Sequence, residues 1–277
     1  MRWGVEEADL DFRSQGRFAR ARVILRGGLV GSVTYSGLVI LLLVRLVERP
    51  LFRVRRPITP WITQGVCRFA FWGMGMPLRI SGKPMQHHGA IVANHASWLD
   101  IFALNAMQNI YFVAKSEVAG WAGIGWLARA TGTEFIARKS SQAAVQRRVF
   151  EDRLNAGHRL VFFPEGTSSD GLRVLPFKST LFAAFFEPEL KRSLWVQPVS
   201  VVYHAPKDQE PRFYGWWGDM DFAPHLLRVL GQSPQGRVEV VFHDPLKVDK
   251  FLDRKLLAQA CENKIRSGLR EALEHDI

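Results

Sequence analysis

The chain has 277 residues, 47% hydrophobic and 23% charged, which suffices for one large domain with an appendage and is too apolar for a disordered chain. Its formal net charge of +11 calls for an acidic partner: nucleic acid, an anionic lipid surface or a phosphorylated substrate. Cys67 and Cys261 lie far apart and outside any CxxC or Cys/His spacing, so the pattern argues against a disulfide framework or zinc site and for two packed thiols.

Residues 1–26 are polar and arginine-rich, and residues 27–44 then carry no charge, a run close to the roughly 17–20 residues that cross a hydrocarbon core. Glycine, serine and threonine dilute its first half, so a full span and a partial entry into the bilayer both remain open. Arginines flank the run on both sides and set no orientation by the positive-inside rule. A cleaved signal peptide is disfavoured, because RLVERPLFRVRRP stands where a small-residue cleavage site belongs. Residues 45–56, with five arginines against one glutamate, read as a juxtamembrane segment held on anionic headgroups. Residues 60–77, PWITQGVCRFAFWGMGMP, predict a second amphipathic helix lying in the membrane interface, the alternative being a soluble helix packed on the core.

From residue 78 onward, β-like apolar runs alternate with helical patterns. Strands are predicted at 90–93, 110–114, 134–136, 160–163, 195–202 and 238–242, and helices at 97–107, 122–130, 141–155 and 179–186. The alternation predicts an α/β fold with a largely parallel sheet flanked by helices on both faces. Residues 251–275 close the chain as an amphipathic helix with Leu252, Leu256, Leu257 and Ala260 on one face. The aromatic segment 213–222, FYGWWGDMDF, lacks interleaved Lys or Arg and so fits a core or an acyl-chain groove better than base stacking.

Two stretches carry the chemistry. In AIVANHASWLD, residues 90–100, a buried strand stops at Asn94 and His95, and a helix opens before Asp100. The carboxyl end of a strand in an open α/β sheet is where ligands bind, and a histidine there can accept a proton near neutral pH while a carboxylate fixes its tautomer. Taken alone, the pair is equally a helix cap and a solvated carboxylate. In LVFFPEGTSSDG, residues 160–171, a second apolar run breaks at Pro164 into small residues whose backbone N–H groups suit an anion. A serine nucleophile at Ser168 or Ser169 is disfavoured, because the Gly-x-Ser-x-Gly spacing of a nucleophile elbow is missing. Arg138 and Lys139 end the segment EFIARK and suit a phosphate, Arg by a two-pronged contact and Lys as a point charge. His87, His88 and His95 have poor spacing for a metal, so no metal site is expected.

NHASWLD followed by FPEGTSS, with FVAKSE at 112–117, EFIARK at 134–139, PFK at 176–178 and QPVS at 197–200 between and after them, resembles the glycerolipid acyltransferase family. The best-known members of that family are the lysophosphatidate (1-acylglycerol-3-phosphate) acyltransferases. The resemblance covers residues 77–202. It implies a mixed, largely parallel sheet of the glycerol-3-phosphate acyltransferase type, preceded by a two-helix membrane element. The chain then divides into an N-terminal segment, 1–76, and an acyltransferase domain, 77–277. It further implies His95 as general base with Asp100 as its orienting partner, and direct attack of the acceptor hydroxyl on an acyl thioester without a cofactor. Glu165, Gly166 and Thr167, extended by Ser168, become the acceptor-binding loop, and Arg138 the phosphate ligand. Lys178 matches another basic position, although the glycine expected two residues later is Thr180. Lys115 is a further binding candidate or a surface lysine.

The expected partners are a lysophospholipid acceptor, acyl-CoA or acyl-carrier protein as donor, and membrane lipids, with no nucleic acid. The leading expectation is acylation of 1-acylglycerol-3-phosphate to phosphatidic acid at the inner membrane, with the catalytic domain on the cytoplasmic side. Acylation of a lyso aminolipid such as lyso-ornithine lipid is the alternative in the same chemistry. A basic membrane-tethered binding protein without catalysis is the alternative of another class.

Overall fold

The computed structural model describes residues 15–87, 89–121, 123–136 and 143–274. The uncharged run lies inside one helix, α1 (Ala19–Phe52), which at 1.5 Å per residue is about 51 Å long. It pairs with α2 (Thr59–Met74) as a hairpin. Gly37 permits the close approach, since a Cβ there would lie 2.4 Å from Val66 Cγ2. The hairpin is locked by Glu48, which is buried at the start of α2. One oxygen accepts the N–H groups of Ile58 (2.7 Å) and Thr59 (3.1 Å), and the other accepts the Thr59 hydroxyl (2.7 Å), so an acid from one helix caps its neighbour. Gly75, in the left-handed region at φ 70°, ends α2.

The amphipathic helix expected over 60–77 is α2. Cys67, Phe71 and Met74 are buried in the domain core, whereas Trp61 and Trp72 face outward. The N-terminal hairpin therefore shares one core with the domain that follows.

The sheet combines β1 (Leu78–Gly82), β2 (Gly89–Ala93), β3 (Tyr111–Lys115), β4 (Glu134–Ile136), β5 (Leu160–Phe162), β6 (Trp195–His204), β7 (Arg237–Phe242) and β8 (Leu246–Lys247). Its order is β1-β7-β6-β2-β5-β3-β4, with β8 also on β6. β6, β2, β5, β3 and β4 run parallel, while β7 and β8 are antiparallel to β6. Strand periodicity sorts the side chains into two cores. Ile91, Ala93, Val161, Val199 and Val201 meet α2, α3 (Leu99–Met107) and α7 (Phe222–Gly231) on one face. Ala90, Val92, Phe162, Val196 and Val202 meet the opposite layer, which includes α8 (Arg254–Glu274).

α4 (Ile124–Thr131), α5 (Ala143–Asn155) and the short α6 (Pro188–Lys191) complete the α-helices among the described residues. Residues 179–186 form a 3-10 helix, because its three-residue turn stacks Phe182 above Phe185 and lets both rings pack on Phe162, at 5.5 and 5.4 Å. α8 buries Leu257, Cys261, Ile265 and Leu269. Of the face expected, Leu257 is buried and Ala260 half-buried, whereas Leu256 is exposed and Leu252 precedes the helix. Burial pushes the Cys67 thiol up to about 12 and raises that of Cys261 further, as packed thiols require.

Candidate active site

β2 and β5 are parallel neighbours, so the turns that leave their carboxyl ends lie side by side. Asn94 ends β2 by using its side chain as a peptide. Nδ2 donates to the Val201 carbonyl (2.9 Å) and Oδ1 accepts the Val201 N–H (2.8 Å), which extends the pairing to β6 and fixes the direction of the next residue. That residue is His95, whose side chain is 20% exposed and stacks on Phe163 with ring centroids 4.2 Å apart.

Asp100, in the first turn of α3, is fully buried. One oxygen takes the His95 Nδ1–H (2.7 Å) and the N–H groups of Ala96 (2.8 Å) and Ser97 (3.0 Å), and the other takes the Tyr203 hydroxyl (2.7 Å). Four donors make a buried carboxylate tenable and hold it in one orientation. With Nδ1 committed to Asp100, Nε2 is the nitrogen left to take a proton from a bound hydroxyl. Sequence reasoning found the His95/Asp100 pair but missed Tyr203. Its signal was a single hydroxyl on the same β6 face as Val199 and Val201.

The second stretch braces the first. Glu165 accepts the N–H of His95 on one oxygen (2.7 Å) and that of Leu175 on the other (2.8 Å), while the His95 carbonyl accepts the Ser169 N–H (2.8 Å). The Glu165 side chain is buried, its oxygens serve backbone amides, and it positions the histidine turn. Burial pushes its carboxyl up to about 8, the Asp100 charge adding to this, against the opposing pull of the two N–H bonds.

Between its ordinary value near 4.5 and about 8, the native state holds a proton that the unfolded chain has released, so this group's contribution to stability falls as pH rises through that window. The thermal midpoint of the wild-type protein should drop across that range, and Glu165→Gln should lack that component. Parallel curves for the two proteins would refute it.

Gly166 holds φ 73°, the left-handed region that favours glycine, and a Cβ there would lie 2.5 Å from Lys178 Nζ, so the ammonium sits over the loop. Thr167 is exposed and Ser168 half-buried beside it. Ser169 donates its hydroxyl to the Arg173 carbonyl (3.0 Å), a structural use. Lys115 is exposed at the carboxyl end of β3, which pairs with β5. Arg138, Lys139 and His88 lie outside the described residues. His87 precedes β2 and stacks on Trp195 at 4.4 Å, at the opposite end of the strand from His95, so those two histidines are not brought together.

The chain matches the acyltransferase family model over residues 78–202. It is 56% identical to the lyso-ornithine lipid O-acyltransferase of Rhodobacter capsulatus, over 90% of this chain and 91% of that protein. It is 41% identical to the 1-acyl-sn-glycerol-3-phosphate acyltransferase of Neisseria gonorrhoeae, over 71% of each. The crystal structure of the 1-acyl-sn-glycerophosphate acyltransferase of Thermotoga maritima has a similar fold, with a TM-score of 0.63 at 20% identity, covering 92% of this chain and 97% of that one.

Proposed function

The chain belongs to the acyltransferase family, and from that premise we propose that it transfers a fatty acyl group from a thioester donor, acyl-CoA or acyl-carrier protein, to the hydroxyl of lyso-ornithine lipid. The observation that carries the choice of acceptor is the 56% identity across nine-tenths of a relative of that name, against 41% over 71% for the 1-acyl-sn-glycerol-3-phosphate enzyme. This reverses the order of the two acceptors expected from motifs alone. Motifs report the shared chemistry, whereas identity along the whole chain also samples the residues that surround the acceptor.

In the proposed reaction His95 Nε2 removes the acceptor's hydroxyl proton, and the oxygen attacks the thioester carbonyl. The C–O bond forms, the C–S bond breaks, and the imidazolium returns the proton to the departing thiolate. Asp100 stabilises the imidazolium and holds its tautomer. Gly166, Thr167 and Ser168 offer the loop against which the headgroup rests. Lys178 and Lys115, with Arg138, supply positive charge that suits the carboxylate of ornithine as well as a phosphate.

The N-terminal hairpin attaches the enzyme to the membrane in this reading. Ile40, Leu43, Leu46 and Val47 of α1 are exposed, and only 17% of its most apolar window is buried. α1 is also tied to the domain at its start, where Arg22 and Arg26 donate to the carbonyls of Gly231 (2.7 Å) and Leu230 (3.1 Å), and near its middle, where Gly123 approaches the Tyr35 hydroxyl. These ties favour a helix lying along the interface over one that leaves the domain to cross the bilayer. Arg49, Arg53 and Arg55 are exposed and suit the anionic cytoplasmic leaflet.

The test is a panel of lysolipids offered to the full chain with acyl-CoA and with acyl-carrier protein. Lyso-ornithine lipid should be used at least about tenfold better than 1-acylglycerol-3-phosphate, the discrimination expected from roughly 1.4 kcal/mol of differential binding. The opposite preference, abolished by Arg138→Ala only on acceptors that carry phosphate, would return 1-acylglycerol-3-phosphate to first place.

A further inference from the structure

We propose that a run of four aromatic rings, Trp98, Phe222, Trp216 and Trp121, is the wall along which the acyl chain of the acceptor lysolipid lies, an inference that rests on the acyltransferase reading. Trp98 meets Phe222 with centroids 5.5 Å apart, Phe222 meets Trp216 at 6.1 Å, and Trp216 meets Trp121 at 6.2 Å, each pair edge to face. Phe213 and Tyr214 of the same aromatic segment are buried, as core residues are. Trp98, Trp216 and Phe222 are half-buried, and Trp121 is 44% exposed. A file of rings that folding leaves partly open is apolar surface waiting for an apolar ligand.

The run has two defined ends. At one, Trp98 lies on the turn that carries His95, and the aromatic segment is sewn to that turn by three hydrogen bonds. Trp98 Nε1–H donates to His225 Nδ1 (3.0 Å), His225 Nε2–H donates to the Gly215 carbonyl (2.9 Å), and the Trp216 N–H donates to the Ala96 carbonyl (2.8 Å). Burial lowers His225 to about 3, so the neutral ring keeps both bonds at any working pH. At the other end, Trp121 stands two residues before Gly123, which abuts the Tyr35 hydroxyl of α1, the apolar helix with the exposed face. The run thus leads from the membrane helix to the general base. That path selects the occupant: the acceptor is a resident of the bilayer and enters from α1, whereas the donor chain arrives on a carrier from solution.

The experiment measures kcat/KM for one lysolipid headgroup bearing acyl chains from medium to long, at fixed donor, and then for a series of donor chains at fixed acceptor. Wild-type kcat/KM should rise with acceptor chain length, by up to about fourfold per methylene where the chain is fully covered. Trp121→Ala should cut the long-to-short ratio at least about tenfold by flattening the long end of that rise, and Trp216→Ala should flatten it from a shorter chain. Trp121 is surface-exposed, so its variant tests the idea even if Trp216→Ala folds poorly. Trp126→Ala removes another exposed tryptophan, 70% accessible and outside the run, and should leave the ratio as in wild type. The proposal is overturned if the losses are equal at all acceptor lengths, if Trp126→Ala acts like Trp121→Ala, or if the donor series changes instead. A wild-type enzyme inactive on every lysolipid would defeat the acyltransferase reading itself and take the ring wall with it.

Discussion

His95→Ala should lower kcat by about 10³-fold or more, with the acceptor KM changed only slightly, because general base catalysis is worth roughly 10²–10⁴ and the attacking hydroxyl has no substitute base on this turn. The variant should fold. What holds residue 95 in place is its peptide, whose N–H binds Glu165 and whose carbonyl receives the Ser169 N–H, and alanine keeps both. The lost side chain is 20% exposed and takes with it a ring stack on Phe163 and one of the four donors to Asp100, whose bonds to Ala96, Ser97 and Tyr203 remain, so the cost in stability is modest beside the cost in rate. Single-turnover measurement with saturating thioester and lysolipid, paired with a melting curve, separates the two. A loss below tenfold in a folded variant would remove His95 from the role of base.

The position of this site was readable from sequence, because a buried parallel strand announces its end sharply. Residues 90–93 are uniformly apolar, and the polarity change at Asn94 coincides with the strand's carboxyl edge. The same contrast marks Pro164 after β5. What was not readable has physical reasons. β1 is an edge strand exposed over most of its length, so its side chains alternate in no way that periodicity can detect. α7 follows directly on an aromatic loop, and although Asp221 stands at its N-cap, that one residue does not set the helix apart from the aromatic run before it. Glu165 is grouped with Gly166 and Thr167 by the FPEGTSS motif, and only the fold shows that two backbone amides face its side chain. Tyr203 sits in a ten-residue strand buried on both faces, where nothing in the sequence distinguishes a tyrosine that packs from one that donates a hydrogen bond to a carboxylate.

Asp100→Asn should be nearly as damaging as His95→Ala, with a fall in kcat of up to about 10⁴, because the amide removes the charge that stabilises the imidazolium and turns two hydrogens toward a cage built of donors. The N–H groups of Ala96 and Ser97 and His95 Nδ1 all point at one oxygen, so an amide nitrogen placed there opposes all three, and placed on the other side it faces the Tyr203 hydroxyl, which must turn from donor to acceptor. With the nitrogen toward His95, the imidazole is driven to the other tautomer, which puts its proton on Nε2 and leaves it unable to accept one from substrate.

Tyr203→Phe separates geometry from charge, since it keeps the ring and the carboxylate and deletes a single donor. About a tenfold loss in kcat is expected, the scale of one hydrogen bond to a charged group at the lower end of its range. If Tyr203 acts only by holding Asp100, adding Tyr203→Phe to Asp100→Asn should cost little more than Asp100→Asn alone, because groups that work as one unit do not add. Tyr214→Phe gives the control for a purely structural role. Tyr214 is buried with its ring 5.8 Å from that of Tyr203, and its hydroxyl donates to Gln235 (2.6 Å) rather than to Asp100, so its loss should lower the melting temperature and leave kcat nearly intact. Full additivity in the double variant, or an equal kcat loss from Tyr214→Phe, would mean that Tyr203 supports the sheet and not the catalytic carboxylate.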